Sequence, residues 1–537
     1  MKTTIVSISA KNVHKQLSAW CLKAFADEQG FNVSIVEASI NENMHDIIEK
    51  IFNERADIIA FSCYIWNIEL IKKIAPLVKK LMSHVSIVLG GPEVVYDDEK
   101  NYCFADEIIR GGEIEFCKYL GKHKACKNAE DSTSSAMNAI GSTQCKNVFK
   151  SFPSPFTSDY FESFKKNQIS DISKQLIYVE TSRGCPFSCS YCMSSVTHGV
   201  EYLPIERVRS DIELLVQHGA KIIKFVDRTF NANSKRAAKI LEFIFSLDTD
   251  ATFHFEVAAD LFDDELFSII EKMPIERVQF EIGIQSLNEK TLKEISRVTD
   301  IKKVLKNIKK LCSFKNCHVH VDLIAGMPHE TMESFSIGIN ECIKTNANML
   351  QLGFLKMLKG TTIRENNFGA IYSDTAPYEV IQTNSMSYFD ITTLKKIEKT
   401  IEKYHNSGMF KNSINYGFSL FSSPYAFFKA FSGAGGDKNA TLKNAYTSLL
   451  KFLKSHGDEK KAKHFTKLDC LTHDPRAPMP DEVEQKRDKQ LEIKLREKFE
   501  KNANYRVEYF DFDNKNRLFD YSKKDKITGE FCVTTLD

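Results

Sequence analysis

The sequence predicts an α/β protein with two successive parallel-sheet domains and a mainly helical carboxyl-terminal domain. Short apolar runs alternate with helical patterns over about the first 120 residues, and the same alternation returns between Leu176 and Leu355. The stretch between the two runs is polar and rich in Ser, Asn and Lys, as linkers are. The predicted segments are a first domain at 1–121, a linker at 122–170, a second domain at 171–369 and a carboxyl-terminal domain at 370–537.

In the first run, five short apolar segments are predicted to be buried strands: Thr4–Ile8, Asn32–Val36, Asp57–Phe61, Val85–Leu89 and Glu107–Ile109. The segments between them have helical periodicity. In Asn67–Met82, for example, Ile68, Ile71 and Ile74 recur at spacings near three. A helix between successive strands predicts a doubly wound, Rossmann-like sheet, and such sheets bind ligands at the carboxyl ends of their strands.

The second run contains six predicted strands: Leu176–Glu180, Ile222–Val226, Thr252–Val257, Arg277–Ile282, Val319–Ile324 and Met349–Leu355. Helical patterns separate them, as in Ile205–His218, where Gly219 follows in the position that ends a helix. Six βα units are too few for a full eight-fold barrel. We therefore expect a partial (β/α)6 barrel of the TIM type, with its chemistry at the carboxyl ends of the strands.

Composition excludes several classes of protein. Apolar residues are 42% and charged residues 27% of the 537, which is ordinary for a globular protein. Lys plus Arg (73) nearly balances Asp plus Glu (71), so we expect a small-molecule substrate and no nucleic acid. No run of eighteen apolar residues occurs, and the first residues lack an apolar signal core. We therefore expect a cytoplasmic protein with no membrane partner.

Three closely spaced cysteines, Cys185, Cys189 and Cys192, follow the first strand of the second run in the segment GCPFSCSYC. Tight cysteine spacing favours an iron–sulfur cluster or zinc. A structural zinc site needs a fourth ligand, for which His198 is the one candidate within ten residues. Three thiolates on a four-iron cluster instead leave one iron open. We expect the cluster, with zinc and unligated thiols as the alternatives.

The C-x3-C-x2-C spacing of this segment, with an aromatic residue before the last cysteine, resembles the radical S-adenosylmethionine (radical SAM) enzymes. The resemblance implies a [4Fe–4S] cluster on Cys185, Cys189 and Cys192, with S-adenosylmethionine bound to the open iron and Tyr191 near its adenine. It also implies reductive cleavage of S-adenosylmethionine to a 5′-deoxyadenosyl radical. The electron would come from a donor such as flavodoxin or ferredoxin.

Polar residues stand at the ends of the later strands, where carboxylates are costly to bury unless they are paired or used. Each one taken alone also fits helix capping or a structural ion pair. By resemblance, Asp227 lies where many family members contact the amino group of the cofactor, although the family's Gly-Gly-Glu form is absent. Arg228 and Glu256 are the candidates for facing the substrate.

Two further segments resemble cofactor-binding strands of the same family. The segment Gly-Ile-Gln-Ser resembles the ribose-binding strand, which implies contacts from Gln285 and Ser286. Ile324 and Gly326 resemble the strand that contacts the adenine.

In the first domain, small residues follow three successive strands: Ser62, then Gly90 and Gly91, then Gly112 beside Glu113. Glycines at strand ends allow the backbone to approach a bulky ligand, although tight turns alone would also use them. The pattern resembles cobalamin-binding domains, in which a serine and two glycines surround the nucleotide tail. A cobalamin domain before a radical SAM barrel resembles the cobalamin-dependent branch of that family over residues 1 to about 365.

His14 departs from the pattern of many cobalamin domains. Their first loop reads Asp-x-His-x-x-Gly, whereas this chain has Asn12 before His14 and Leu17 in place of the glycine. A metal-bound histidine usually needs an acceptor for its second ring nitrogen. We therefore expect cobalt without a histidine ligand, with His14 at the corrin edge or capping a helix, and His14 ligation as the alternative.

The leading functional hypothesis is an enzyme that transfers a methyl group from cobalamin to a substrate carbon or phosphorus activated by the deoxyadenosyl radical. One alternative is a radical cyclisation, ring contraction or rearrangement that uses cobalamin without methylation. Another is a cobalamin- or redox-sensing binding protein. The carboxyl-terminal domain resembles an uncharacterised domain found with this pair, so its role stays open.

Overall fold

The fold was analysed in a computed structural model, which describes residues 1–128, 148–166, 171–196, 199–438, 441–496 and 504–536. The chain divides into two compact units. The first contains Met1–Glu256, Lys356–Asn367 and Ile371–Val380, and the second contains Val257–Leu355, Phe368–Ala370 and Ile381–Asp537.

The first unit begins with a five-stranded parallel sheet in the order β2-β1-β3-β4-β5. Its strands are β1 (Lys2–Ser9), β2 (Asn32–Ser39), β3 (Ile58–Ser62), β4 (Ser86–Gly90) and β5 (Glu107–Ile109). The helices between and after them are α1 (Leu17–Glu28), α2 (Met44–Asn53), α3 (Ile68–Leu81), α4 (Pro92–Val95) and α5 (Glu113–Asn128). The predicted doubly wound sheet is confirmed.

Two apolar clusters, one from each pair of flanking helices, account for this sheet. Ile47 of α2 and Ile71 of α3 belong to one cluster with the strand residue Val6. Phe116 of α5 belongs to the other with Ile5. Because Ile5 and Val6 are adjacent in a strand, their side chains point to opposite faces of the sheet. The sheet is therefore covered on both faces, as a parallel sheet requires.

The first unit continues with half of the second run. Its elements are α6 (Ser158–Lys166), β6 (Leu176–Val179), β7 (Ser182–Cys185), β8 (Gly199–Tyr202), α7 (Ile205–Gln217), β9 (Ile222–Phe225), α8 (Ser234–Ser246) and β10 (Thr252–Val257). Strand β9 pairs in parallel with β6 on one side and β10 on the other, while β7 and β8 form an antiparallel hairpin. Of the predicted linker, residues 129–147 and 167–170 lie outside the described ranges.

The second unit contains the other half of the run: α9 (Asp264–Glu271), β11 (Val278–Gln285), α10 (Glu289–Glu294), α11 (Ile301–Phe314), β12 (His318–Ala325), α12 (Met332–Ile343) and β13 (Met349–Phe354). Strand β12 pairs in parallel with β11 and with β13. Along β12 buried Val319 and Val321 alternate with half-buried His318 and His320. All six predicted strands and their alternation with helices are thus observed, as a partial (β/α)6 barrel requires.

The remaining elements are short segments followed by a mainly helical region. They are α13 (Thr362–Asn366), β14 (Ile371–Tyr372), β15 (Val380–Gln382), α14 (Tyr388–Ile401), α15 (Lys411–Leu420), α16 (Pro424–Gly433), α17 (Leu442–His456), α18 (Glu459–His473), α19 (Lys489–Arg496), β16 (Tyr505–Phe510), β17 (Lys515–Lys524) and β18 (Phe531–Leu536).

The chain ends in a three-stranded antiparallel sheet, β16-β17-β18. The apolar alternation near Tyr505–Phe512 and Phe531–Thr535 predicts two of these strands, but β17 is too polar for that signal. Strand β17 is stabilised by pairing with both β16 and β18, although its own sequence has no apolar alternation. Within the described ranges, no helix has the length and apolarity needed to cross a membrane.

Candidate functional site

The three cysteines lie in and just after the hairpin strand β7, on a segment that we call the cysteine loop (residues 185–192). Cys185 is the last residue of β7, Cys189 is buried, and Cys192 precedes a 3-10 turn that begins at Met193. A turn bond from the Cys192 amide to the Cys189 carbonyl (3.1 Å) folds the end of the loop back. None of these three cysteines forms a disulfide.

Asp227, two residues after β9 ends at Phe225, fixes the start of the hairpin. Its carboxylate accepts hydrogen bonds from the Thr181 amide (2.7 Å), the Ser182 amide (3.0 Å) and the Thr181 hydroxyl. Burial raises the pKa of Asp227, and these hydrogen bonds oppose that rise. Both carboxylate oxygens are therefore engaged by the chain, while the predicted contact of Asp227 with a cofactor stays a prediction.

A residue that sequence reasoning missed lies beside the first cysteine. The Thr229 hydroxyl is 3.6 Å from the sulfur of Cys185. It comes two residues after Asp227, so one short segment both anchors the hairpin and contacts a proposed cluster ligand. In the sequence, Thr229 is the last residue of a polar run, Asp-Arg-Thr, that follows an apolar strand.

The other candidates of the first barrel strands occupy different surroundings. Arg228 is exposed after β9. Desolvation raises the pKa of the hydroxyl of half-buried Tyr64, and the charge of Arg228 opposes that rise. Glu256 is half-buried, with one carboxylate oxygen 3.9 Å from the Lys224 ammonium. Tyr191 is half-buried between Cys189 and Cys192 in the cysteine loop.

His14 lies beside the first barrel strand. Its Nδ1 is 2.5 Å from the Tyr178 hydroxyl, and His14 forms a parallel bridge with Leu176. Burial lowers the pKa of His14, and the charges of Lys11 and Lys224 lower it further, so the neutral imidazole is favoured at pH 7. His14 is therefore tied to β6 by a single backbone bridge and a side-chain hydrogen bond.

A cavity of about 230 Å³ opens at the carboxyl ends of β3, β4 and β5. Five of the residues predicted to bind cobalamin line it: Ser62, Gly90, Gly91, Gly112 and Glu113. Further lining comes from side chains of α1, α5 and the β3 loop, among them Leu22, Tyr64 and Phe116. The lining is apolar with a few polar groups at the strand ends, as is usual for a cofactor pocket.

The fold requires glycine at one position of this cavity and not at another. At Gly91 φ is +112°, and an added Cβ would lie 2.5 Å from the Cys63 carbonyl oxygen, so the fold itself demands glycine there. At Gly112 φ is not positive, and an added Cβ would meet no atom within 4 Å. Packing of the chain therefore does not explain Gly112.

An ion pair connects the cavity to β7, the strand that ends at Cys185. The guanidinium of Arg183, on β7, donates to both carboxylate oxygens of Glu113 at 3.0 and 3.1 Å, and also to Glu180. The Glu113 side chain is only 7% exposed, and its charge raises the pKa of Arg183, as Glu180 does more strongly. Such bidentate pairs fix orientation as well as charge. Arg183, two residues before Cys185, was not identified from the sequence.

The remaining candidates stand at the ends of β11 and β12. Gln285 has a left-handed backbone (φ 70°), and its buried amide oxygen has no hydrogen-bond partner within the described ranges. The Ser286 hydroxyl donates to fully buried Glu330. Ile324 lies on the half-buried face of β12, and Gly326 (φ 83°) directly follows that strand. Strained backbone and unsatisfied polar atoms are typical of ligand sites.

The arrangement of the cysteines bears on the kind of metal site. Among the described residues, no three His, Cys, Asp or Glu side chains surround one point as ligands of a single ion would. His198, the candidate fourth ligand for zinc, lies outside the described residues. Thiolates that bind separate irons of one cluster need not converge on a single point.

Three parts of the chain match known families. Residues 3–120 match the B12 binding domain, residues 179–336 the radical SAM superfamily, and residues 366–529 a protein of unknown function (DUF4080). The predicted combination of a cobalamin-binding domain, a radical SAM domain and an uncharacterised carboxyl-terminal domain is confirmed.

The chain is 25% identical over 328 residues to the cobalamin-dependent radical SAM methyltransferase TokK of Streptomyces tokunonensis, covering 56% of this chain and 47% of the relative. It is 25% identical over 303 residues to an uncharacterized methyltransferase of Pyrococcus horikoshii, covering 54% and 65%. The chain thus spans between about half and two thirds of the length of these relatives.

A solved structure has the same fold over most of the chain. The cobalamin-dependent S-adenosylmethionine radical enzyme OxsB, with aqua-cobalamin and S-adenosylmethionine bound, aligns with a TM-score of 0.54 and 14% identity. The alignment covers 92% of this chain and 74% of OxsB. At that identity the likeness establishes the fold alone.

Proposed function

We propose that this chain, which carries a B12-binding domain and a radical SAM domain, is a cobalamin-dependent radical SAM methyltransferase. The main support is that one compact unit contains both the glycine-lined cavity and the cysteine loop, with the Glu113–Arg183 pair between them. Two cofactor sites in one unit suit a reaction in which one cofactor activates the substrate and the other supplies the transferred group. The methyltransferases among its relatives favour methyl as that group.

When bound, the cluster supplies reductive cleavage of S-adenosylmethionine to a 5′-deoxyadenosyl radical, and cobalamin supplies the methyl group. In this assignment Cys185, Cys189 and Cys192 hold three irons and leave the fourth for S-adenosylmethionine. Asp227 positions the hairpin through Thr181 and Ser182. The proposed contacts to S-adenosylmethionine are Tyr191, Asp227, Gln285, Ser286, Ile324 and Gly326.

Cobalamin is assigned to the cavity of the doubly wound sheet. The cavity is lined at the ends of β3 and β4 by Ser62, Gly90 and Gly91. At Gly112 the absence of a side chain leaves further space. His14 lies outside the lining of this cavity and bonds to Tyr178. That position supports cobalt without a histidine ligand.

The substrate is proposed to be a small molecule that Arg228 and Glu256 face. Arg228 is exposed at the carboxyl end of β9, and Glu256 is half-buried at the end of β10. A charged group of each sign there suits orientation of a polar metabolite beside the radical. A flavodoxin or ferredoxin is the proposed electron donor, and the cytoplasm the proposed compartment.

The proposal is tested with anaerobically reconstituted protein, a strong reductant and S-adenosylmethionine labelled in its methyl group. We expect two products, 5′-deoxyadenosine and S-adenosylhomocysteine, with the label recovered in the cobalamin fraction. Deoxyadenosine formed without S-adenosylhomocysteine and without labelled cobalamin would refute methyl transfer and favour non-methylating radical chemistry. If neither product forms but cobalamin still binds, the chain acts as a binding protein.

A further inference from the structure

A segment late in the chain packs against the doubly wound domain. Lys356–Asn367, which follows β13 in sequence, belongs to the first unit, and we call it the strap. The conformation of the strap is closely constrained: Gly360 has φ 77°, and an added Cβ would lie 2.5 Å from the ring of Tyr96. The Met357 amide donates to the Tyr378 carbonyl at 2.9 Å, which ties the strap to the following segment.

One part of the strap is fixed to the cavity side of the unit by Lys359. Its ammonium lies 2.9 Å from the carboxylate of Glu93 and 2.6 Å from that of Asp97. The side chains are largely buried, at 10% exposure for Lys359 and 5% for Glu93. The Tyr378 hydroxyl also donates to Glu93. Lys359 and Tyr102 together hold the pKa of Asp97 at about 2, so its carboxylate stays charged at any pH of interest.

Glu93 lies in the short helix α4, which begins directly after the two glycines that bound the cavity. It follows Gly90, Gly91 and Pro92, and the two glycines line the cavity. The backbone at the start of this helix is constrained by the close approach of Gly91 to Cys63. An ion pair to Glu93 therefore acts on a segment with little freedom to move.

Further along, the strap contacts the cysteine loop. The Ile363 amide donates to the carbonyl of Ser190 at 3.0 Å, and Ser190 lies between Cys189 and Tyr191. The Ile363 side chain is 1% exposed, so this contact is buried. Only three residues separate Lys359 from Ile363. A short, constrained segment therefore touches both the cysteine loop and the α4 region that directly follows the cavity glycines.

We infer that Lys359 is a positioning residue that holds the cysteine loop in a fixed position relative to the cobalamin cavity. This inference rests on the proposed function. Its physical basis is that a buried ammonium between two carboxylates fixes the strap on one side, while a backbone hydrogen bond transmits that position to Ser190. Loss of the ammonium removes the ion pairs of the strap to Glu93 and Asp97 but removes no proposed ligand of either cofactor.

The test uses the full chain with both cofactors and compares Lys359→Met, Lys359→Arg and, as a matched control, Lys356→Met. Lys356 is exposed on the same strap. The readout is the electron paramagnetic resonance of cob(II)alamin. A nearby reduced cluster accelerates its spin relaxation, and this enhancement decreases steeply with the distance between the two centres. Iron and cobalamin contents and the unfolding midpoint are measured on the same samples.

We expect Lys359→Met to keep its iron and cobalamin but to lose most of the relaxation enhancement, with excess 5′-deoxyadenosine per methyl transferred. Lys359→Arg should recover the enhancement, because a guanidinium reaches both carboxylates. Lys356→Met should match the wild type. A lower unfolding midpoint with unchanged relaxation would assign Lys359 a merely structural role and overturn the inference.

Two further outcomes are separated by the design. If the wild type binds no cobalamin or no cluster, the proposed function fails, whatever the variants do. If Lys359→Met does not fold, Asp97→Asn replaces it, since that variant keeps the Glu93–Lys359 pair and removes the negative charge of the second partner. The same direction of change is expected there, and unchanged relaxation in folded Asp97→Asn would contradict the inference.

Discussion

Replacement of any one of Cys185, Cys189 and Cys192 by alanine is expected to abolish formation of 5′-deoxyadenosine, with a loss of ~10³-fold or more in rate. The three cysteines form no disulfide and lie in one short loop, and each is assigned to a different iron. Two thiolates do not retain a cluster whose fourth iron must stay open. The measurement is the iron content and cluster spectrum of the reconstituted variant, followed by quantification of 5′-deoxyadenosine.

The matched control for the cysteine variants is Cys103→Ala. Cys103 is an exposed free thiol in the same unit, remote in sequence from the loop. We expect its iron content and product formation to equal those of the wild type. Full 5′-deoxyadenosine formation by Cys189→Ala would remove the cluster from the account.

Gly112→Leu is expected to weaken cobalamin binding by about 100-fold or more, which is ~2.7 kcal/mol. A Cβ at Gly112 meets no protein atom within 4 Å, so the protein tolerates the side chain while the bound cofactor does not. The affinity is measured by absorbance titration with hydroxocobalamin, and the iron content is expected to stay unchanged.

The control for this substitution is Gly433→Leu. Gly433 also has free space around an added Cβ and a φ that is not positive, but it lies at the exposed end of α16 in the second unit. Its cobalamin affinity should equal that of the wild type. Wild-type affinity in a folded Gly112→Leu variant would place cobalamin elsewhere.

The strands and the loop of ligands were predictable because both are encoded locally. Apolar runs separated by helical periodicity predict the parallel strands, and the spacing of Cys185, Cys189 and Cys192 predicts one loop after β6. Strand β17 escaped prediction because its partners, rather than its own pattern, stabilise it. Local sequence patterns thus predicted the strands and the cysteine loop, but not the long-range contacts that these segments make.

The residues that connect the two sites were not predictable from the sequence. Arg183 pairs with Glu113 across 70 positions, and Lys359 pairs with Asp97 across 262. No periodicity or motif specifies which charges meet over such separations. The opposite case is Asp227, where the sequence predicted a cofactor contact and the structure adds a protein partner for each oxygen.

The most direct test of the account measures iron, sulfide and cobalamin on the same samples of wild type, Cys189→Ala and Gly112→Leu. We expect about four irons and one cobalamin per wild-type chain. Cys189→Ala should lose the iron and keep cobalamin, and Gly112→Leu should lose cobalamin and keep the iron. A wild-type chain that holds a single zinc ion, or a cluster without cobalamin, would contradict the account.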